Sequence, residues 1–218
     1  MKDLAFALEA AEITSVYRWP LWRALLEVLP WLEAASEAGA GVHALKLVHT
    51  GDGQGHKVQR QAWLTRRARL VLRVPDDRAE ATAAALCGQE LTVEEAAGGD
   101  DALRRYTLRL RQCMERPLHV SSTLYSDCVT TGSADELDFC RDLDAELDAL
   151  GVRCHYICGG SRELATGQAG APGRLSGYAL ALHDLSPEHS LLLQERGLGR
   201  ERRFGCGIFI PHKAISGL

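Results

Sequence analysis

Strand-like and helix-like stretches succeed one another in the same order twice along this chain, and few folds accommodate that order. Residues 3–9 (DLAFALE) form a short apolar run that reads as a strand. Pro20 suits the opening turn of a helix. Leu21, Ala24, Leu25, Val28 and Leu29 then fall on one face, until Pro30 interrupts the helical hydrogen bonding. Residues 42–49 (VHALKLVH) alternate as a strand does, and GDGQG at 51–55 is a turn. Residues 57–64 and 67–74 supply more strand, the second (RARLVLRV) setting basic against apolar positions. A helix over 77–87 stops at Gly88, and 89–93 is a closing strand. GGDD at 98–101 reads as a linker, and YTLRLR at 106–111 as a strand beside the first sheet.

The second pass repeats the scheme. A strand lies within 119–131, and Ser133 with Glu136 makes a capping box for a helix carrying Leu137, Cys140, Leu143, Leu147 and Leu150 on its apolar stripe. Gly151 ends that helix, 152–158 is a strand, 159–173 a glycine-rich loop, and 175–183 (LSGYALALH) a strand. Ser186 caps a last helix with Pro187 at its first position, and Gly197 terminates it. Residues 208–210 make a final strand, stopped by Pro211. Each pass is βαββαβ, so the chain reads as an α+β protein of two tandem ferredoxin-like, RRM-like halves. The expected divisions are 1–97 for the N-terminal half, 98–118 for the linker and extra strand, and 119–218 for the C-terminal half with its glycine-rich loop. No residue-level repeat accompanies the repeated pattern.

That loop is the most distinctive stretch. Glycines stand at 197, 199, 205 and 207 among Arg196, Arg200, Arg202 and Arg203. Glycine lets backbone approach a bulky partner, and guanidinium forks match phosphate. A net charge of −4 and a pI near 6.1 argue against an indiscriminate nucleic-acid binder, so any polyanion site must be local. The seven cysteines are odd in number and read as reduced thiols of a cytoplasmic protein. Strand alternation sends Cys154 and Cys158 to one face and His155 to the other, so no metal site or cofactor is expected. No apolar run is long enough to span a membrane.

The segment LHDLSPEHSLLLQERGLGRERRFGCGIFIPHK, residues 182–213, resembles the C-terminal glycine-rich signature of the CRISPR repeat-processing endoribonucleases of the repeat-associated mysterious protein superfamily, most closely the Myxan subtype. Weaker likeness extends to Leu29-Pro30-Trp31-Leu32, to RARLVLRVP at 67–75 and to ELDALGV at 146–152. The resemblance implies the same tandem fold. It also implies metal-independent cleavage of precursor CRISPR transcripts: the ribose 2′-OH attacks the adjacent phosphate, leaving 2′,3′-cyclic phosphate and 5′-OH ends. It further implies retention of the repeat stem-loop and association with other CRISPR effector subunits.

Such a reaction wants a base for the 2′-OH, an acid for the leaving oxygen, and cations for the phosphorane. The family commonly places a histidine near the start of the first helix. Here Tyr17 falls at that position, followed by Arg18. Tyr17 with Arg18 is one expectation for the chemistry. A histidine of the same half, His43, His49 or His56, is another, and a protein that binds the hairpin without cutting is the third. Arg200, Arg202 and Arg203 are the leading phosphate contacts. Gly197, Gly199, Gly205 and Gly207 are expected to give RNA close backbone approach, with Lys213, Arg162 and Arg67 as further contacts. A small-molecule-binding regulator is the alternative from another class, which the Arg/Gly loop does not suit.

Overall fold

The computed structural model describes residues 1–48, 61–96, 103–167 and 173–213. His49 and His56 lie outside them. The chain builds β1 (Lys2–Glu9), β2 (Glu12–Thr14), α1 (Arg18–Val28), α2 (Leu32–Ser36), β3 (Gly41–Val42), β4 (Leu47–Val48), β5 (Gln61–Leu64), β6 (Arg69–Val74), α3 (Asp76–Leu86), β7 (Glu90–Ala96) and β8 (Leu103–Pro117). The second half then follows as β9 (Leu124–Val129), α4 (Glu136–Ala149), β10 (His155–Ala165), β11 (Arg174–His183), α5 (Pro187–Arg196), a 3-10 turn at Arg202–Phe204, and β12 (Ile210–Pro211).

The sheets run β3-β6-β1-β8-β7 and β10-β11-β9-β12. In both, the two strands that flank the first helix of the half are separated by that sheet's next strand in sequence, β6 between β1 and β3 and β11 between β9 and β10, which is the ferredoxin-like arrangement twice over. All their strand pairs are antiparallel. The place beside β1 is taken by β8 and not by the strand near 89–93, which becomes β7 at the sheet's outer edge. Hairpin pairing explains this: β7 and β8 align from Glu90↔Arg109 to Ala96↔Leu103, so β7 travels with β8.

Further expectations shift for local reasons. The strand expected over 42–49 divides, because the chain leaves the first sheet after Val42 and joins a small third sheet, β2-β5-β4, at Leu47. Strand β10 runs on to Ala165 where a loop was expected, and absorbs Gly159 and Gly160 at a register shift between Cys158 and Ser161. Asp135, not Ser133, caps α4, its side chain accepting the Asp138 amide at 3.0 Å. The helix therefore starts later than the capping box implied, and Leu137 points out, 81% exposed, while Phe139, Leu143 and Leu147 make the buried stripe.

One core packs α1 and α3 against the first sheet, with Leu4, Phe6, Leu21, Trp22, Leu25, Leu70 and Leu72 buried in it. A second packs α4 and α5 under the other sheet around Phe139, Leu143, Leu180, Leu182 and Phe209. A smaller cluster between the halves joins Cys128, Leu175, Phe204 and Cys206 to Trp19 at the start of α1. Burying side chains of this size stabilises by about 1.5–3 kcal/mol each. No helix among the described residues is long and apolar enough to cross a membrane.

Candidate functional site

Tyr17, Arg18 and His43 converge. With Val42, Arg203 and Phe204 they line one narrow cleft. Tyr17 and Arg18 begin α1, and His43 follows β3, its amide still bonded to the Val71 carbonyl at 2.9 Å. Arg203 and Phe204 come from the glycine-rich loop of the other half. The cleft therefore exists only where the two halves touch.

His43 is held from behind. Its Nε2 lies 3.2 Å from Asp3 Oδ1. The same carboxylate accepts Arg73 Nε at 2.8 Å and Arg73 Nη2 at 2.9 Å, a bidentate pair between cross-strand neighbours of β1 and β6. Burial disfavours the charged Asp3, but the hydrogen bonds with His43 and Arg73 outweigh it and hold its pKa well below the usual carboxylate range. Arg73 is 1% exposed, and its Nη1 donates to the Gln194 carbonyl at 2.7 Å and the Phe209 carbonyl at 2.8 Å. One guanidinium thus joins the carboxylate that holds His43 to the α5 and β12 segments of the second half.

Tyr17 differs from expectation. It is 2% exposed, and its hydroxyl accepts the Leu45 amide at 2.8 Å. Burial raises its pKa, against the pull of the Arg18 charge. The phenol fixes the 43–45 segment where the chain leaves the sheet. Arg18 donates Nε to the Phe204 carbonyl at 3.0 Å, with its guanidinium 5.0 Å from the Tyr17 ring centre. Arg203 bonds the Glu201 carboxylate at 2.7 Å and lies 4.8 Å from the Phe204 ring centre and 5.8 Å from that of Trp19.

Within the loop, Arg202 is turned inward, which runs against its expected role as a phosphate fork. It is 8% exposed. Its Nη1 donates to the Leu198 carbonyl at 2.9 Å and to that of Cys206 at 3.3 Å, and its Nη2 to the Arg196 carbonyl at 3.1 Å. Burial lowers its pKa, opposed by the Glu146 carboxylate. The loop is wound around this guanidinium. The glycines also face protein and not an open surface. A Cβ on Gly197 would stand 2.2 Å from the Gly207 carbonyl and 2.5 Å from Arg202 Nε; one on Gly199 would stand 2.4 Å from the Thr130 carbonyl. Gly205 faces the Ala44 amide and the Val42 carbonyl, and Gly207 the Leu198 carbonyl. The close approach that these residues permit is the loop to itself, to β9 and to the 42–44 segment.

The remaining basic candidates are spread over the surface. Arg200 is exposed and lines a groove of about 460 Å³ with Arg203, Glu33 and Glu37. Arg67 is exposed in the turn before β6, and Lys213 is exposed just beyond β12. Arg162 on β10 lies 3.7 Å from Asp127. Asp3 and Arg73 escaped sequence reasoning. Arg73 shares the alternation of Arg67 and Arg69, and only the arrival of β3 and the second half buries it. Opposite charges near the facing ends of two antiparallel strands were the available signal.

The family model described as "Cas6 Crispr" matches residues 3–214. A curated relative, the CRISPR-associated endonuclease Cas6 of Myxococcus xanthus, is 32% identical over 211 residues, covering 96% of this chain and 80% of that protein. Among solved structures, a Cas6-related protein from Pyrococcus furiosus superposes with a TM-score of 0.63 at 11% identity, covering 97% of this chain and 98% of the other. A RAMP protein described as binding different RNA substrates superposes at 0.65 with 13% identity, covering 96% and 98%. Family model and curated relative both span nearly the whole chain, and the solved structures share its fold: the chain belongs to the Cas6 family of CRISPR proteins.

Proposed function

We propose that this protein is an endoribonuclease that binds the stem-loop of CRISPR repeat RNA and cuts the precursor transcript at the cleft between its halves, without a metal ion. The observation that carries this reading is the convergence of His43, Arg18 and Arg203 where the glycine-rich loop meets the first half, in a Cas6-family chain. His43, oriented through Nε2 by Asp3, takes the proton from the 2′-OH or delivers one to the departing 5′-oxygen. Arg18 and Arg203 supply positive charge for the phosphorane. The products carry 2′,3′-cyclic phosphate and 5′-OH ends. Tyr17 acts by placing the backbone after His43, since its hydroxyl is engaged with Leu45. Arg200, Arg67, Arg162 and Lys213, which reach the surface, hold the RNA backbone, and the retained hairpin docks with other effector subunits.

The experiment is cleavage of a repeat-hairpin RNA in EDTA with analysis of the product ends. Cyclic phosphate at the new 3′ end supports the reading; activity that appears only with added divalent metal overturns it. The burial of the Tyr17 hydroxyl, at the position where a family histidine is expected, favours a second reading: a subunit that binds the hairpin without cutting. Salt-sensitive binding with no cleavage selects it.

A further inference from the structure

The second sheet has two unlike faces. Leu124, Leu180 and Leu182 lie on one and are buried against α4 and α5. The opposite face is divided. One end is closed by Trp19, Phe204 and Cys206, which pack over Cys128 and Leu175. The other end is open. There the strand register sets Ile157 opposite Ala181, Ala181 opposite Tyr125, and Tyr125 opposite Ile210, a single row across all four strands. Ile157 and Ile210 are 37% and 42% exposed. Two rings flank the row on one side: His155 opposes His183, and the rings stack with centres 5.4 Å apart, His183 being fixed by Asp184 at 2.9 Å. On the same side, at the far edge strand, the exposed His212 stands level with Thr123, and its ring lies 5.6 Å from that of Tyr125.

We propose that this open end is a stacking platform for unpaired nucleotides that flank the bound hairpin; the inference rests on the RNA-binding function proposed above. Flat rings standing on a sheet suit bases, because every base offers a π face, and such contacts tolerate varied sequence. Duplex RNA keeps the faces of its bases stacked inside and turns phosphates and 2′-hydroxyls outward, so the row of isoleucine, alanine and tyrosine suits single strands. Cations stand at the margins: Arg162 within the sheet, and exposed Arg153 and Lys213 beside His155 and His212.

The platform is continuous with the cleft. Asp127 lies two residues from Tyr125 on β9, and the Tyr125 hydroxyl and an Asp127 oxygen are 3.3 Å apart. Arg162 Nε lies 3.7 Å from Asp127, the adjoining Cys128 thiol lies 3.9 Å from that of Cys206, and Arg18 Nε donates to the Phe204 carbonyl in the same turn at 3.0 Å. A strand leaving the cleft past Arg18 meets Arg162 next, and then the Tyr125–His212 rings.

The test uses the full-length protein and the repeat hairpin of its own CRISPR array, blunt or carrying an unpaired oligoadenylate tail on either end, with 2-aminopurine in the tail. One tail is expected to tighten binding by about tenfold or more and to quench the 2-aminopurine on stacking. The double variant Tyr125→Ala/His155→Ala should lose both effects and bind the blunt hairpin as wild type does, while Tyr125→Phe, which keeps the ring, should retain them. Tails that add nothing to wild type, or variants that weaken blunt and tailed RNA equally, overturn the platform and leave the RNA-binding reading standing. Failure of wild type to bind any of these RNAs overturns both.

Discussion

Asp3 Oδ1 lies 3.2 Å from His43 Nε2, and the same oxygen accepts Arg73 Nε at 2.8 Å. A carboxylate on the first strand therefore orients the candidate acid–base group while neutralising the guanidinium that ties the two halves together. The candidate site and the docking of the two halves share one largely buried carboxylate. Breaking the docking should disturb the site, and the reverse.

Removing Arg73 should be costly. Arg73→Met leaves Asp3 without its bidentate partner and frees the Gln194 and Phe209 carbonyls. Losing one member of a buried charge pair typically costs about 3–5 kcal/mol. Urea unfolding should show a loss in that range, and a loss below about 1 kcal/mol would mean the guanidinium is not the tie described.

Asp3 also sets an acid limit on stability. Its pKa is lower in the folded protein than in the unfolded chain, so its contribution is fully present above the unfolded carboxylate value of about 4 and is lost as pH falls below it. Unfolding measured from about pH 6 down to about pH 3 should show stability declining with acidification, and the decline should be shallower in Arg73→Met. Equal slopes would place the acid sensitivity in other carboxylates.

Two arginines of the loop should behave oppositely. Arg202→Ala removes the donors around which the loop is wound, so it should lower the melting temperature and weaken RNA binding through loss of loop structure. Arg200→Ala touches an exposed side chain, so stability should stay within about 0.5 kcal/mol while the salt dependence of RNA binding flattens by roughly one unit of slope. Thermal melts and salt-titrated binding on both variants check this together.

Glycine substitutions separate backbone strain from crowding. Gly207 has φ +64°, and a Cβ there would stand 2.0 Å from the Leu198 carbonyl and 2.2 Å from Arg202 Nη1. Gly132 has φ +101° with nothing within 4 Å. Gly132→Ala should cost about 1–2 kcal/mol from left-handed backbone alone, whereas Gly207→Ala adds crowding and should cost about 2–5 kcal/mol. Comparable losses at both positions would mean the loop opens readily around Arg202.

The tandem ferredoxin-like order was legible because alternation and helical periodicity switch cleanly along the chain, and Ser186, Pro187 and Gly197 occupy the helix positions their chemistry favours. The small third sheet was not legible, since residues 42–48 alternate as one strand yet divide between two sheets, a choice made by tertiary partners such as the Tyr17 hydroxyl. At the site, Tyr17 with Arg18 and a histidine such as His43 stood as separate candidates on residue type, and their convergence on one cleft became visible only in the fold. The inward turn of Arg202 could not be anticipated: an arginine among glycines carries the same letters whether it grips phosphate or its own loop. Asp3 and Arg73 became visible only once strand register placed them face to face.

Single-turnover cleavage of the repeat hairpin in EDTA, comparing wild type with His43→Ala, tests the central claim most directly. The account predicts that wild type cuts to a cyclic-phosphate end and that His43→Ala slows the chemical step by about 10²–10⁴-fold while hairpin affinity changes little. A His43→Ala protein that cuts at the wild-type rate would contradict it.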